Sequence, residues 1–314
     1  MVNLRTRIGD LILKNPIMPA SGTFSEELAD VIDIGQLGAH VTKTITEEKR
    51  EGNPTPRICE VNGSILNSIG IPSKGVEHFI KHTIPFYNQY DVPLVTSISA
   101  HTSDDFARLC NKVTVPGVAA IEVNISCPNI DDDGKAFAMR PSATKTVVQK
   151  VRSSSDLPLW VKLSPNTGET VEVALVAEDA GADALVVSNT MLAMSIDITS
   201  RKPRLGNLMG GLSGPSLKPI ALRMAYQCAK SVRIPVIGCG GISTVYDVIE
   251  YLIAGVKAVQ IGTATFVHPS TMINILSDLE DYLREQNIRN LNDIIGTVQD
   301  ANTIDAVVFM ETAP

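Results

Sequence analysis

The chain has no surplus of positive charge. Its 27 Lys and Arg stand against 34 Asp and Glu, a formal net charge of -7, so no global positive field exists to gather nucleic-acid phosphates. Nucleic acid is therefore not an expected partner. No apolar run reaches the length of a membrane span, and Arg5 and Arg7 are not followed by an apolar segment, which argues against a signal peptide or anchor. The expectation is a cytoplasmic protein without membrane contact. The five cysteines (Cys59, Cys110, Cys127, Cys228, Cys239) contain no Cys-x-x-Cys pair, so the usual grips for zinc and iron–sulfur clusters are missing and no metal site is expected. A sparse, odd set of thiols suits a reducing compartment. No low-complexity tract or Pro/Gly/Ser-rich linker divides the sequence.

What is present is a large stock of core-forming residues, with 44% hydrophobic and 19% charged content over 314 residues. Short β-branched or apolar runs predict eight strands, at 17–20, 40–43, 94–98, 120–125, 159–163, 184–188, 235–238 and 258–261. Amphipathic stretches lie between them. Val245, Val248, Ile249 and Leu252 repeat at helical spacing, with Ser243 placed as an N-cap and Gly255 as a stop; Ser103 and Ser142 are similar predicted starts. Strands alternating with helices imply parallel pairing, and eight units favour a closed (β/α)8 TIM barrel over residues 1–314. A flavodoxin-like open sheet is the alternative. Gly9-Asp10 predicts an N-terminal hairpin capping one end. Two connections, 44–93 and 189–214, are longer than a barrel needs, and the first carries an Asn62-Gly63 hairpin signal followed by a helical stretch over 76–87. Insertions after barrel strands build substrate pockets, because active sites in this fold lie on the C-terminal face.

Polar residues concentrate where those strands end. Gly238-Cys239-Gly240-Gly241 and Gly262-Thr263, after the last two strands, have the form of a phosphate cradle in which glycines let backbone N–H groups approach the oxygens. Tight structural turns would use the same residues. Lys43 and Lys162 each close an apolar strand, where an unpaired ammonium is costly, so an anionic partner is expected; a ring that gains negative charge on reduction would supply one. The segment Asn124-Ile125-Ser126-Cys127-Pro128-Asn129 places a thiol in a polar turn among amides suited to a flat heterocycle with carbonyl and N–H edges. A thiol of pKa about 8.5 is partly thiolate at neutral pH and can serve as a general base if its target proton is held in place. Cys110 and Cys228 instead fall on apolar helical faces and are expected in the core. No histidine falls at a strand end near Cys127, which disfavours Cys-His nucleophilic catalysis.

With these residues in place, the chain resembles the class 1 dihydroorotate dehydrogenases, and within them the catalytic subunit of class 1B. The resemblance runs through nearly the whole chain. It rests on Lys14-Asn15-Pro16 with Ala20-Ser21-Gly22, Lys49-Arg50-Glu51-Gly52-Asn53-Pro54-Thr55-Pro56-Arg57, Asn67-Ser68-Ile69-Gly70, the 124–129 segment, Val161-Lys162-Leu163-Ser164-Pro165-Asn166, Asn189-Thr190, Gly210-Gly211-Leu212-Ser213-Gly214-Pro215 and the two glycine segments. The resemblance implies FMN held by Ser21, Lys43, Thr44, Asn124, Lys162, Ser188, Gly214, Gly240, Gly241, Gly262 and Thr263. It implies substrate contact by Lys43, Asn67, Ser68, Ile69, Gly70, Ile71, Asn124, Asn189 and Thr190. Cys127 would take the C5 proton of dihydroorotate while the C6 hydride passes to flavin N5, giving orotate for pyrimidine synthesis.

Further implications concern assembly and substrate choice. A homodimer is expected, and class 1B implies an FAD and iron–sulfur subunit that passes electrons to NAD, whereas class 1A relatives use fumarate. Three departures from the family pattern stand out: Ser73 and Ser97 occupy positions usually held by asparagine, and the 23–27 loop is abbreviated. They leave open a dihydropyrimidine dehydrogenase-like enzyme acting on dihydrouracil or dihydrothymine. Outside redox chemistry, the alternative is a phosphate-binding aldolase or isomerase with Lys43 or Lys162 as its reactive amine.

Overall fold

The computed structural model describes residues 2–126 and 136–299. A hairpin of β1 (Thr6–Ile8) and β2 (Leu11–Leu13) comes first, followed by β3 (Ile17–Pro19) and β4 (His40–Val41). An insertion adds β5 (Ile58–Val61) and β6 (Ser64–Asn67). Next come β7 (Leu94–Ile98), β8 (Ala120–Asn124), β9 (Leu159–Lys162) and β10 (Ala184–Val187). A second insertion contributes β11 (Met191–Ala193), β12 (Ile196–Asp197), β13 (Lys202–Pro203) and β14 (Gly210–Ser213). Strands β15 (Val236–Cys239) and β16 (Ala258–Ile261) complete the set.

The eight strands predicted from sequence form one sheet in the order β3-β16-β15-β10-β9-β8-β7-β4, every neighbouring pair parallel. Its two edges meet: the Gly38 N–H, just before β4, donates to the Ile17 carbonyl of β3 at 2.8 Å. A side chain at Gly38 would put its Cβ 2.1 Å from the Asn15 carbonyl oxygen, so this closure requires glycine. The result is a nearly closed (β/α)8 barrel, and the open-sheet alternative falls.

Because side chains alternate along a strand, the inward-facing residues fall into layers. At the base, Val95, Ala120, Trp160, Ala184, Ile237 and Ala258 pack with Ile8 and Leu13 of the hairpin, which plugs that end as expected. Trp160 fits because its register partner on β10 is the small Ala184. Burying each large apolar side chain in this plug stabilises the fold by roughly 1.5–3 kcal/mol. Two residues further along the same strands the layer turns polar, with Ser97, Glu122, Lys162, Cys239 and Gln260. The opposite strand faces are apolar and pack under the surrounding helices, where Val123, Val161, Leu185 and Val259 join Leu109, Val147, Ala174, Ala221, Val248 and Leu279.

The helices are α1 (Val76–His78) and α2 (Ile84–Tyr87), joined by a π-helical turn at Phe79–Thr83, then α3 (Ser103–Val113), α4 (Pro141–Arg152), α5 (Thr170–Asp179), α6 (Lys218–Ser231), α7 (Val245–Ile253), α8 (Ala264–Val267) and α9 (Thr271–Glu285). Only 3-10 turns, Glu26–Asp30 and Ile34–Gln36, connect β3 to β4. The predicted caps shift by one or two residues. Thr102 and Thr244, not Ser103 and Ser243, accept from the N3 N–H groups of α3 and α7, and α4 begins at Pro141 after Arg140. At α3 and α7 neighbouring hydroxyls compete for the capping role, and only backbone geometry decides between them, whereas Arg140 makes no side-chain cap bond to α4.

The two insertions meet over the barrel mouth. Asn62 and Gly63 both have positive φ (46° and 71°) and turn β5 back onto β6. Strand β6 then pairs with β14, and β14 with β11, giving an antiparallel sheet in the order β11-β14-β6-β5. One roof is thereby built from segments 144 residues apart, as the bond from the Asn67 amide to the Gly211 carbonyl illustrates.

Candidate active site

Between the roof and the C-terminal ends of the barrel strands lies a cavity of about 710 Å³. Ser21, Lys43, Thr44, Asn124, Lys162, Ser188, Gly214, Gly240, Gly241, Gly262 and Thr263 all line it, as do Asn67, Ile69, Gly70, Ile71, Asn189 and Thr190. Ser68 does not. Its hydroxyl accepts from the side-chain amides of Asn53 and Asn207, tying the roof hairpin to the neighbouring loops. Cys127, Pro128 and Asn129 lie outside the described residues, although Ser126, the residue before Cys127, lines the cavity.

One wall is a chain of amides. The Asn189 side-chain N–H₂ donates to the Asn124 Oδ1 at 3.1 Å, and the Asn189 Oδ1 accepts from the Thr190 N–H at 2.8 Å. These bonds fix which way each amide faces, leaving the Asn124 N–H₂ to donate elsewhere. Ser126 Oγ is buried with no hydrogen-bond partner among the described residues, the condition of a group that awaits a ligand.

The glycine turns form the far wall. Gly240 and Gly241 have φ of 140° and 69°, and a Cβ on either would come within 2.7 Å of Ala221 or Lys218. Asp247 clamps this loop from behind, accepting from the N–H and hydroxyl groups of both Ser243 and Thr244, while Lys218 pairs with its other oxygen at 2.7 Å. Burial works against ionisation of Asp247, but the Lys218 ammonium and these N–H and O–H donors outweigh it and hold the carboxyl below its ordinary range. At the adjoining turn, the Thr263 hydroxyl donates to Ser213 Oγ at 2.8 Å, linking cradle to roof.

The floor is the polar layer of the barrel, and it contains the residues that reading the sequence missed. Lys162 is 3% exposed; its Nζ donates to Gln260 Oε1 at 2.9 Å and to Ser21 Oγ at 3.2 Å, and stands 3.8 Å from Glu122 Oε1. Glu122 has no exposed surface and accepts from Gln260 Nε2 at 2.6 Å and Ser97 Oγ at 2.9 Å. The anionic partner expected for Lys162 is thus already supplied by the protein. A charged residue in the apolar 120–125 run was the available signal. Held by three neighbours, the Lys162 ammonium is poorly suited to act as the amine of an aldolase.

Both departures at serine acquire roles. Ser97 bonds Glu122 and Thr44 in the floor, whereas Ser73 Oγ accepts from the N–H groups of Thr46 and Gly75 and faces a smaller cavity of about 220 Å³ behind Lys43 and Thr44. The other thiols are ill placed for base chemistry: Cys59 lies on β5 and does not line the cavity. Burial raises the Cys110 and Cys239 thiols and pushes Cys228 up to about 12, with Lys162 only partly offsetting the effect at Cys239.

Comparison with known proteins bears on this cavity. The family model for dihydroorotate dehydrogenase matches residues 3–283. A protein of Desulforudis audaxviator described as dihydroorotate dehydrogenase B (NAD(+)), catalytic subunit, is 46% identical over 298 residues, covering 94% of this chain and 97% of that one. Proteins of the same description from Desulforamulus reducens and a Thermoanaerobacter species are 45% and 44% identical, over 94% and 95% of this chain and 98% and 99% of theirs.

Proposed function

Because the chain belongs to the dihydroorotate dehydrogenase family, we propose that its barrel-mouth cavity binds FMN and that Cys127 is the base of the reaction. The family activity is that of a flavin-dependent oxidoreductase acting on a CH–CH group, converting dihydroorotate to orotate for pyrimidine synthesis. The observation that carries the FMN reading is the convergence of all eleven proposed cofactor residues on one cavity of about 710 Å³. The clamped turns at Gly240-Gly241 and Gly262-Thr263 suit a single terminal phosphate. The Ser126 hydroxyl, which has no hydrogen-bond partner among the described residues, suits a polar ligand beside the amide wall.

When bound, a flavin supplies the two-electron acceptor for the C6 hydride. Cys127 removes the C5 proton, a task left to it because the thiols of Cys110, Cys228 and Cys239 are raised and Cys59 does not line the cavity. Asn124 and Asn189, already oriented by their mutual hydrogen bond, present amide donors and acceptors to the ring edge of the substrate. Lys43 offers its ammonium to the substrate carboxylate. Asn67, Ile69, Gly70, Ile71 and Thr190 line the same cavity and would contact the substrate.

The relatives are described as catalytic subunits of NAD(+) enzymes. This supports an electron-transfer partner for the present chain with NAD(+) as terminal acceptor; FAD and an iron–sulfur cluster are proposed as the partner's carriers. A homodimer is proposed for the catalytic subunit itself. Among the described residues no helix is long and apolar enough to cross a membrane. Denaturing the purified protein and identifying the released chromophore tests the cofactor assignment: FMN at one per chain is expected, and FAD, or no flavin, would overturn it.

A further inference from the structure

The floor of the cavity is a hydrogen-bond chain whose directions can all be assigned. An ammonium only donates, so Gln260 Oε1 must face Lys162 and Gln260 Nε2 must face Glu122. The Ser97 hydroxyl has one proton and gives it to Glu122 Oε1, so the Thr44 hydroxyl donates to Ser97 at 2.9 Å. Among the described residues, both hydrogen-bond neighbours of Glu122, Gln260 Nε2 and Ser97 Oγ, donate to it. Ser21, Thr44 and Lys162 line the cavity. Glu122, Gln260 and Ser97 are fully or almost fully buried beneath them, at 0–1% exposure.

Stability alone explains this arrangement poorly, since a buried ion pair can often be replaced by well-packed apolar residues without loss. Its placement offers a better account. Lys162 favours negative charge in the cavity above it, and Glu122, 3.8 Å from the same ammonium, subtracts from that field in a setting where water screens weakly. Gln260 holds the two charges in register. A flavin gains negative charge on two-electron reduction, so the size of this residual field bears directly on how readily it accepts electrons.

We propose that Glu122 is a positioning residue that, through Lys162 and Gln260, sets the electron affinity of the bound flavin. The proposal rests on the flavin reading above. Replacing Glu122 by glutamine keeps the shape and removes the charge: its Oε1 accepts from Gln260 Nε2 and its N–H₂ donates to Ser97 Oγ, whose hydroxyl then turns to donate to Thr44. The full field of Lys162 then reaches the cavity. Ser97→Ala does the reverse: the carboxylate keeps its charge and loses a donor that offsets it.

The test is an anaerobic equilibrium titration of each flavin-loaded protein against a reference dye. E122Q should shift the reduction equilibrium at least tenfold toward the reduced flavin, about 30 mV for a two-electron couple, and Ser97→Ala should shift it the opposite way. A merely structural network would lower the melting temperature of both variants and leave the potential where it was, and that result overturns the proposal. If E122Q does not fold, Ser97→Ala decides by the same criterion. A wild-type protein without flavin would sink the flavin reading and the proposal together; a yellow protein with unmoved potentials would sink the proposal alone.

Discussion

A thiol can serve as a base at neutral pH only where water or a cation lets its charged form exist. Cys110, Cys228 and Cys239 are buried and their thiols pushed up, and Cys59 does not line the cavity, which leaves the proposed role to Cys127. Cys127→Ala should retain flavin but lose turnover by about 10²–10⁴-fold, the usual worth of a positioned base. Steady-state rates beside the visible spectrum of the same sample check this, and a variant at the wild-type rate would remove the role. At this scale the sequence was informative where chemistry stood out against its surroundings. Lys43 and Lys162 end apolar strands, and both line the cavity. Glu122 and Gln260 escaped notice because they sit inside strands whose other residues read as core, and their bond joins positions 138 residues apart. Ser68 differs from its neighbours Asn67 and Ile69 in a way only the fold shows: its hydroxyl accepts from Asn53 and Asn207 instead of facing the cavity.

Elements were legible to within a residue or two at their ends, because hydrophobic period and hairpin signals are local. Caps were harder, as Thr244 and Ser243 carry the same hydroxyl and both bond Asp247. This carboxylate joins the start of α7 to the glycine loop, and its depressed pKa has a defined consequence for stability. Its folded value lies below the unfolded value of about 3.9. The stabilisation is therefore complete above about pH 4 and is lost as pH falls through the folded value. Asp247→Asn should lower stability at neutral pH by about 1–2 kcal/mol, within the range for losing a cap. It should also flatten the dependence of stability on pH below about 4. Denaturant melts at pH 7 and pH 3 check both; equal stability differences at the two pH values would contradict the linkage. Closure of the barrel depends similarly on one residue. Gly38→Ala drives a methyl group into the Asn15 carbonyl, and a loss of about 3 kcal/mol or more is expected, above the usual range for overpacking because rigid backbone is struck.

For the molecule as a whole, the barrel was legible because eight apolar runs alternate with helices and allow few topologies. The roof was not. Its pairing of β6 with β14 joins two insertions through backbone bonds that no local pattern announces. Together barrel and roof enclose a site whose ligand should bind the folded chain alone. Free flavin at a hundred times its dissociation constant should then stabilise the protein by about 2.7 kcal/mol, and apoprotein melting at the same temperature with and without FMN would contradict this. The central claim is that dihydroorotate delivers electrons into this cavity, and an anaerobic titration of the purified yellow protein, followed by its visible spectrum, tests it most directly. Bleaching by dihydroorotate, with one equivalent of orotate formed per flavin, is the predicted result; a flavin that stays oxidised with dihydroorotate yet bleaches with dihydrouracil would contradict it.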